Sequence, residues 1–254
     1  MVTVLGGGRM AEAYAETLRS GGVTTSESDA AHWPEILTAF YSGVESYGFL
    51  RSGKVAEGSI IVDLTTLGIH DATRCEREAN RLKATYLAGG VTGGVRQVGT
   101  SEFTILIGGS SGKIELPGWL SLLGRIKTYE RIEHAVGSKL LHNLALILMN
   151  HAIGSALRVA REHGISELLE VLESGTAGRP LRTMSVVRDG EGIPTSSYGC
   201  GLAAKDLRAM LSSFPELETI VGLDLTELAE AYARNGAVPY TSVSNEGCSQ
   251  AARD

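Results

Sequence analysis

The stretch "VLGGGRMAEAYAETL", residues 4–18, runs an apolar strand into three glycines and then straight into an Ala/Glu-rich helical pattern. Gly6, Gly8 and Ala11 fit G-x-G-x-x-[GA], with the strand before and the helix after that give this spacing a meaning. In such a turn the first glycine permits the bend, the second lets backbone approach a pyrophosphate, and the small third residue packs helix on strand. The helix N-terminus, here at Arg9 and Met10, then turns unpaired N–H groups toward the anion. The plainer alternative is a glycine-rich turn with no ligand.

Working outward, residues 1–130 alternate short β-rich runs with helical patterns. Strands are expected at Val2–Leu5, Val23–Thr25, Glu35–Tyr41, Ser59–Leu64, Thr85–Leu87 and Thr104–Gly108, and helices at Arg9–Ser20, Val44–Leu50, Ile69–Leu82 and Pro117–Leu123. That order predicts a mostly parallel sheet with helices on both faces. "IIVDL", ending at Asp63 and Leu64, reads as a central buried strand. From residue 133 the pattern becomes helical, beginning with one long apolar helix from Gly137 to His163. Further helices are expected at Ser166–Ser174, Leu202–Phe214 and Leu223–Asn235, with a Gly/Pro/Ser-rich loop before Leu202 and a polar, fraying end at Ser244–Asp254. The predicted architecture is an α/β domain over 1–132 followed by an all-α domain over 133–254.

Composition narrows the function. The chain has 254 residues, 43% apolar and 20% charged, and a net charge of −6 without a basic run, which argues against nucleic acid as a partner. Its three cysteines, Cys75, Cys200 and Cys248, are odd in number and far apart, so a reduced compartment is expected and a metal site is not. Met1 leads directly into a strand, which leaves no room for a signal peptide, and no stretch approaches the roughly 20 apolar residues of a membrane span. A cytoplasmic protein is the expectation.

In the long helix, Lys139 and Asn143 lie four apart and share a face, with Asn150 seven further on. A lysine among Leu140, Leu141, Leu144, Ile147 and their neighbours is costly unless paired or used as an acid or base; the alternative is a lysine snorkelling to solvent. His142, adjacent, reads as a structural imidazole.

Together these segments resemble the β-hydroxyacid dehydrogenases, the superfamily of 3-hydroxyisobutyrate and 6-phosphogluconate dehydrogenases that includes imine reductases. "VLGGGRMAEAYAETL" resembles the N-terminal fingerprint and "IIVDLTTLG" the Asp-Ser-Thr strand end. "LAGGVTGGVRQVGT" resembles the Ser-Gly-Gly substrate loop, "GSKLLHNLALILMNHAIGSALRVAREHGI" the helix of the catalytic Lys and Asn, and "AAKDLRAML" the Lys-Asp-Leu of the helical domain. The resemblance implies a Rossmann-like domain, a homodimer, and NADP or NAD as cofactor. It makes Lys139 the general acid/base and Asn143 the residue that orients the substrate. Gly6, Gly8, Arg9, Met10, Thr65, Thr66 and Lys205 become cofactor-binding residues, and Ala88, Gly89 and Gly90 carry a carboxylate-bearing small molecule. Asp206 is expected to pair structurally.

The departures are informative. Ala88 stands at the serine of Ser-Gly-Gly, His142 at the first of two asparagines, and the loop from Gly90 to Gly99 is longer and carries Arg96. An acid for the cofactor ribose is expected about 20 residues past the glycine turn. Asp29 falls there, but "VTTSES" lacks the apolar alternation of a central strand. The segment instead aligns as third strand and following helix, with the second strand and its helix missing, about 30 residues in all. Two functions therefore compete: an NAD(P)H-dependent oxidoreductase on a small hydroxy acid, keto acid or imine, and a cofactor-independent acid/base enzyme on the same scaffold that has lost its adenosine site.

Overall fold

The computed structural model describes residues 1–26, 34–109, 116–175, 187–188, 194–195 and 199–235. Asp29, most of the loop before Leu202, Cys248 and the 244–254 end lie outside them. The chain divides into two compact units, residues 1–141 and 142–254.

The first unit is built on a seven-stranded sheet of β1 (Val2–Leu5), β2 (Thr25–Ser26), β3 (Glu35–Thr38), β4 (Ile60–Asp63), β5 (Thr85–Thr92), β6 (Thr104–Gly108) and β7 (Arg125–Tyr129). Their order across the sheet is β2-β1-β3-β4-β5-β6-β7, and every pairing is parallel except β5 with β6. The expected α/β class and mostly parallel sheet are what the chain adopts. β7 was not expected: as an edge strand it is largely exposed, and "RIKTY" lacks the apolar run of β4. Beyond its first turn-and-strand unit, β5 is also longer than expected, because Ala88–Thr92 continue it along β6.

β-strand alternation sorts the two faces. Val2, Val4, Leu37, Val62, Leu87, Ile105 and Ile107 form one core with Ala11, Tyr14, Ala15 and Leu18 of α1 (Arg9–Ser20), whose i, i+3, i+4, i+7 spacing makes a single apolar stripe. Tyr14 meets Phe103 edge-on at 6.0 Å, adding a directional contact to this burial. The opposite face carries Ile36, Ile61, Asp63 and Tyr86, with Ala72, Cys75 and Ala79 buried on α3 (Ile69–Arg81), which packs on β5 and on α2 (Gly43–Leu50).

The placement of β2 revises the sequence alignment. Thr25 and Ser26 lie parallel to Val2 and Thr3 on the outer side of β1, while β3 takes the inner side. In the 3-2-1-4-5-6 order of a Rossmann sheet that is the second-strand position, not the third. What is missing is the strand beyond it: among the described residues the sheet ends at β2. A segment as polar as "VTTS" fits an edge, where one side of the ladder is open, and would not fit the middle.

α4 (Ile132–Glu162) begins five residues before the expected start at Gly137. Its first turns belong to the sheet unit, so the division falls after residue 141 rather than at 132. The cause is a trough of small residues. A Cβ on Gly108 would come within 2.5 Å of the Arg131 carbonyl oxygen and 2.9 Å of the Ile132 Cα, and one on Gly89 would press on Ala135 at 3.0 Å. Ile132, Ala135, Val136 and Leu140 are buried there. By length and composition α4 reaches the range of a membrane span, with a mean hydropathy of 1.4 over its best window, contrary to the sequence expectation. It also carries buried Lys139, Asn143 and Asn150, and 33% of that window is buried.

The second unit contains the rest of α4, α5 (Leu168–Ser174), a two-residue pair of strands at Val187–Arg188 and Pro194–Thr195, α6 (Cys200–Ser213), α7 (Leu217–Val221) and α8 (Leu225–Asn235). α6 packs on α8, burying Ala203, Leu207 and Met210 with Leu225, Ala229 and Tyr232. A turn at Gly222, with φ of 70°, splits the expected Leu223–Asn235 region from α7.

Because the seat of α4 rests on close backbone approach, Gly108→Val should destabilise the protein by at least about 1–3 kcal/mol. A denaturant titration showing an unchanged midpoint would contradict this account.

Candidate functional site

The C-terminal ends of parallel strands are where doubly wound sheets bind ligands. β1 ends in the glycine turn, β3 in Ala39–Phe40, and β4 in Asp63–Thr65. Gly6 has φ of +145°, and a Cβ there would overlap the carbonyl oxygen of Ala39, so the fold itself demands glycine. Gly8 is different. It is the N-cap of α1 with φ −122° and ψ 166°, a conformation open to any residue, and a Cβ would meet nothing within 4 Å. Arg9 is exposed, whereas the Met10 side chain packs against the core beneath the turn.

Asp63 closes β4 and is 1% exposed. Its Oδ1 accepts the Thr65 backbone N–H at 2.9 Å, and its Oδ2 accepts the Tyr86 hydroxyl at 2.7 Å. Burial first, and then the Asp63 charge, push the Tyr86 hydroxyl well above the ordinary tyrosine range. The same two causes push the buried Cys75 thiol from 9.0 up to about 12. Thr65 is itself buried, its Oγ1 accepting the Phe40 N–H at 2.9 Å, while Thr66 is half-buried. Of these two threonines, Thr66 is the one that presents surface.

Ala88, Gly89 and Gly90 are buried inside β5, in register with Gly108, Ile107 and Leu106 of β6. Gly89 receives Ala135 of α4, and Gly90, with φ of +135°, lies against the Lys139 side chain: a Cβ there would meet its Cγ at 2.8 Å. Lys139 is 8% exposed, so its stem is covered rather than snorkelling. The C-terminal end of β5 carries a second Gly-Gly pair, in Thr92-Gly93-Gly94, which follows Ala88-Gly89-Gly90 and begins with the hydroxyl that Ala88 lacks. Arg96 is exposed, on a loop whose Gly99 sits against Thr17 of α1.

In the helical unit, Asn143 is 6% exposed and donates from Nδ2 to Asp206 Oδ2 at 2.7 Å, and its Oδ1 lies 3.3 Å from His142 Nδ1. Asp206, 2% exposed, also pairs through Oδ1 with Lys205 Nζ at 2.8 Å. The carboxylate thus fixes which way the Asn143 amide points, a structural role the sequence had assigned only as pairing. Lys139 and Asn143 follow one another at one turn's spacing on the continuous α4. Among the described residues no group of His, Cys, Asp and Glu could hold a metal ion.

Comparison with known proteins agrees with this fold. Residues 36–118 match the family model described as the NAD binding domain of 6-phosphogluconate dehydrogenase; the segment starts after the glycine turn and includes β3 to β6. No curated protein matches by sequence. The fold is that of a Mycobacterium tuberculosis 3-hydroxyisobutyrate dehydrogenase solved with L-serine, with a TM-score of 0.75, 17% identity, and 100% of this chain and 99% of that one covered. A 3-hydroxyisobutyrate dehydrogenase from Salmonella typhimurium superposes with a TM-score of 0.72 at 15% identity, over 96% and 99% of the two chains. A reductive aminase from Aspergillus terreus, solved with NADPH and ethyl levulinate, gives 0.53 at 17%, over 95% and 97%. The resemblance drawn from the sequence motifs holds at the level of fold and of the NAD-binding segment.

A buried thiol whose pKa is raised in the folded state stabilises the protein fully below its ordinary pKa and loses that contribution as pH climbs toward the folded value. The melting temperature should therefore fall as pH rises from 9.0 toward about 12, and Cys75→Ala should make the decline shallower. An identical slope in the variant would remove Cys75 from the cause.

Proposed function

We propose that this chain is an NAD(P)-dependent oxidoreductase acting on a small, carboxylate-bearing hydroxy acid, keto acid or imine, with Lys139 moving the proton at the substrate oxygen or nitrogen. The observation that carries the reading is Gly8. Neither its backbone conformation nor its packing calls for glycine, and an approaching pyrophosphate does. The match of residues 36–118 to an NAD binding domain supports the same assignment.

In this reading Gly6 shapes the turn, and Gly8, Arg9 and Met10 offer backbone N–H groups to the cofactor phosphates. Thr66 and the exits of β3 and β4 border the rest, and Lys205 remains the helical unit's candidate for cofactor binding. The nicotinamide, when bound, supplies or accepts the hydride. Lys139 donates a proton to the developing alkoxide, or takes one in the reverse direction, and its charge stabilises that oxygen. Asn143, its amide held by Asp206, orients the substrate. Thr92, Gly93 and Gly94 take the carboxylate-binding role, leaving Ala88, Gly89 and Gly90 to seat α4 and Lys139.

One observation favours the second reading, cofactor-free acid/base chemistry: the sheet stops at a two-residue β2, so the strand that would lie beside the adenosine end is not there among the described residues. A soluble cytoplasmic homodimer completes the proposal. Cys75 and Cys200 are free, and α4 exposes Leu141, Met149 and Val159, a stripe that a second copy would cover.

A fluorescence titration with NADH and NADPH decides between the readings. Binding should be seen for wild type and lost in Gly8→Val with the melting temperature preserved, while Lys139→Met should bind cofactor normally and lose at least about a hundredfold in turnover. If neither nucleotide binds the wild-type protein, the acid/base reading takes over. By solution mass the protein should run at twice its 26.8 kDa chain; a monomer would refute the α4 interface.

A further inference from the structure

Asp63 is a carboxylate where its strand neighbours are Ile60, Ile61 and Val62, and it is as deeply buried as Ile61 and Val62. Among the described residues no cation pairs with it. Its donors are neutral: the Thr65 backbone N–H and the Tyr86 hydroxyl. A buried charge met only by neutral donors is poor value for stability, since an apolar side chain of similar size would fill the same space at less cost. What the carboxylate provides is direction, because each oxygen accepts along a defined line.

Followed outward, those lines cross the sheet. Tyr86 belongs to β5 and Asp63 to β4. Asp63 holds Thr65, whose Oγ1 accepts the Phe40 N–H just past β3 at 2.9 Å, with Ser46 Oγ 3.5 Å away. Ala39, next to Phe40, donates its N–H to Leu5 at the end of β1 at 2.8 Å, and its carbonyl oxygen is the atom against which Gly6 is packed. Four adjacent strands are therefore tied in order, from Tyr86 near the start of β5 to the glycine turn, through the C-terminal ends of β4, β3 and β1.

We infer that Tyr86 and Asp63 are positioning residues, forming with Thr65 and Phe40 a hydrogen-bonded crossbar that holds the exit loops of β1, β3 and β4 in one arrangement for the cofactor. Neither residue touches the cofactor in this scheme; both act through Thr65. The inference rests on the oxidoreductase reading for its purpose, but not for its existence. Tyr86→Phe tests it with the smallest change, removing one hydroxyl at a site remote from the turn. Amide hydrogen exchange at Phe40, three links away, and at Thr65 should accelerate by about tenfold, and the NADPH Kd should rise by about as much, the weight of one hydrogen bond. Thr65→Val should weaken NADPH binding similarly and Thr65→Ser should restore it.

A purely structural tyrosine predicts otherwise: a lower melting temperature, with Phe40 exchange and NADPH affinity as in wild type. That result overturns the crossbar, as does faster exchange with unchanged affinity in a protein that binds NADPH. Failure of the functional reading has a separate signature, a wild-type protein that takes up neither nucleotide. Exchange at Phe40 then decides alone, unchanged rates overturning the crossbar and faster rates supporting it.

Discussion

The sheet unit depends on how closely the start of α4 can approach β5 and β6. Gly89, Gly90 and Gly108 clear a path in which backbone meets backbone, and Ala135 and the Lys139 stem occupy the space that side chains would otherwise fill. Glycine inside a strand weakens it, so three that meet the start of α4 signal a close approach rather than a turn. This one constraint makes room for a lysine that is 8% exposed, because its stem lies along glycine backbone. It also explains why the sheet unit extends into the helix as far as residue 141.

Much of this was legible beforehand. The glycine turn, α1, β4 and the long helix were plain because each carries a strong period: an apolar run in "IIVDL", and apolar residues three and four apart in α1. The fold class followed from their order. Lys139 and Asn143 stood out because four residues make one helical turn, and the resemblance implied their roles. Failures came where local pattern competes with tertiary context. Gly89 and Gly90 read as part of a loop because their segment resembles a Ser-Gly-Gly loop; they lie inside β5, and nothing local announces that a helix will lie across them. β7 was missed because an edge strand needs no continuous apolar run. β2 was assigned to the wrong position because which neighbour a two-residue strand chooses depends on sheet order, not on its own residues.

The polar interior shows the same limit. Asp63 at the end of an apolar strand was visible as an oddity, but its partner Tyr86 lies 23 residues away and Asn143's partner Asp206 lies 63 away. Such pairings leave no local signature. They matter because each fixes the orientation of a group that a packed apolar residue would leave free: Thr65 in one unit and the Asn143 amide in the other. Thr65 itself shows how role and exposure separate, since its hydroxyl is spent on Phe40 and only Thr66 reaches the surface.

The place of β2 has a consequence for the chain in crowded solution. Without it β1, with its apolar "VTVL", would be a bare template for another molecule's backbone. Among the described residues Thr25 and Ser26 cover Val2 and Thr3, and both are polar. A polar outer strand resists the edge-to-edge assembly that leads to aggregates.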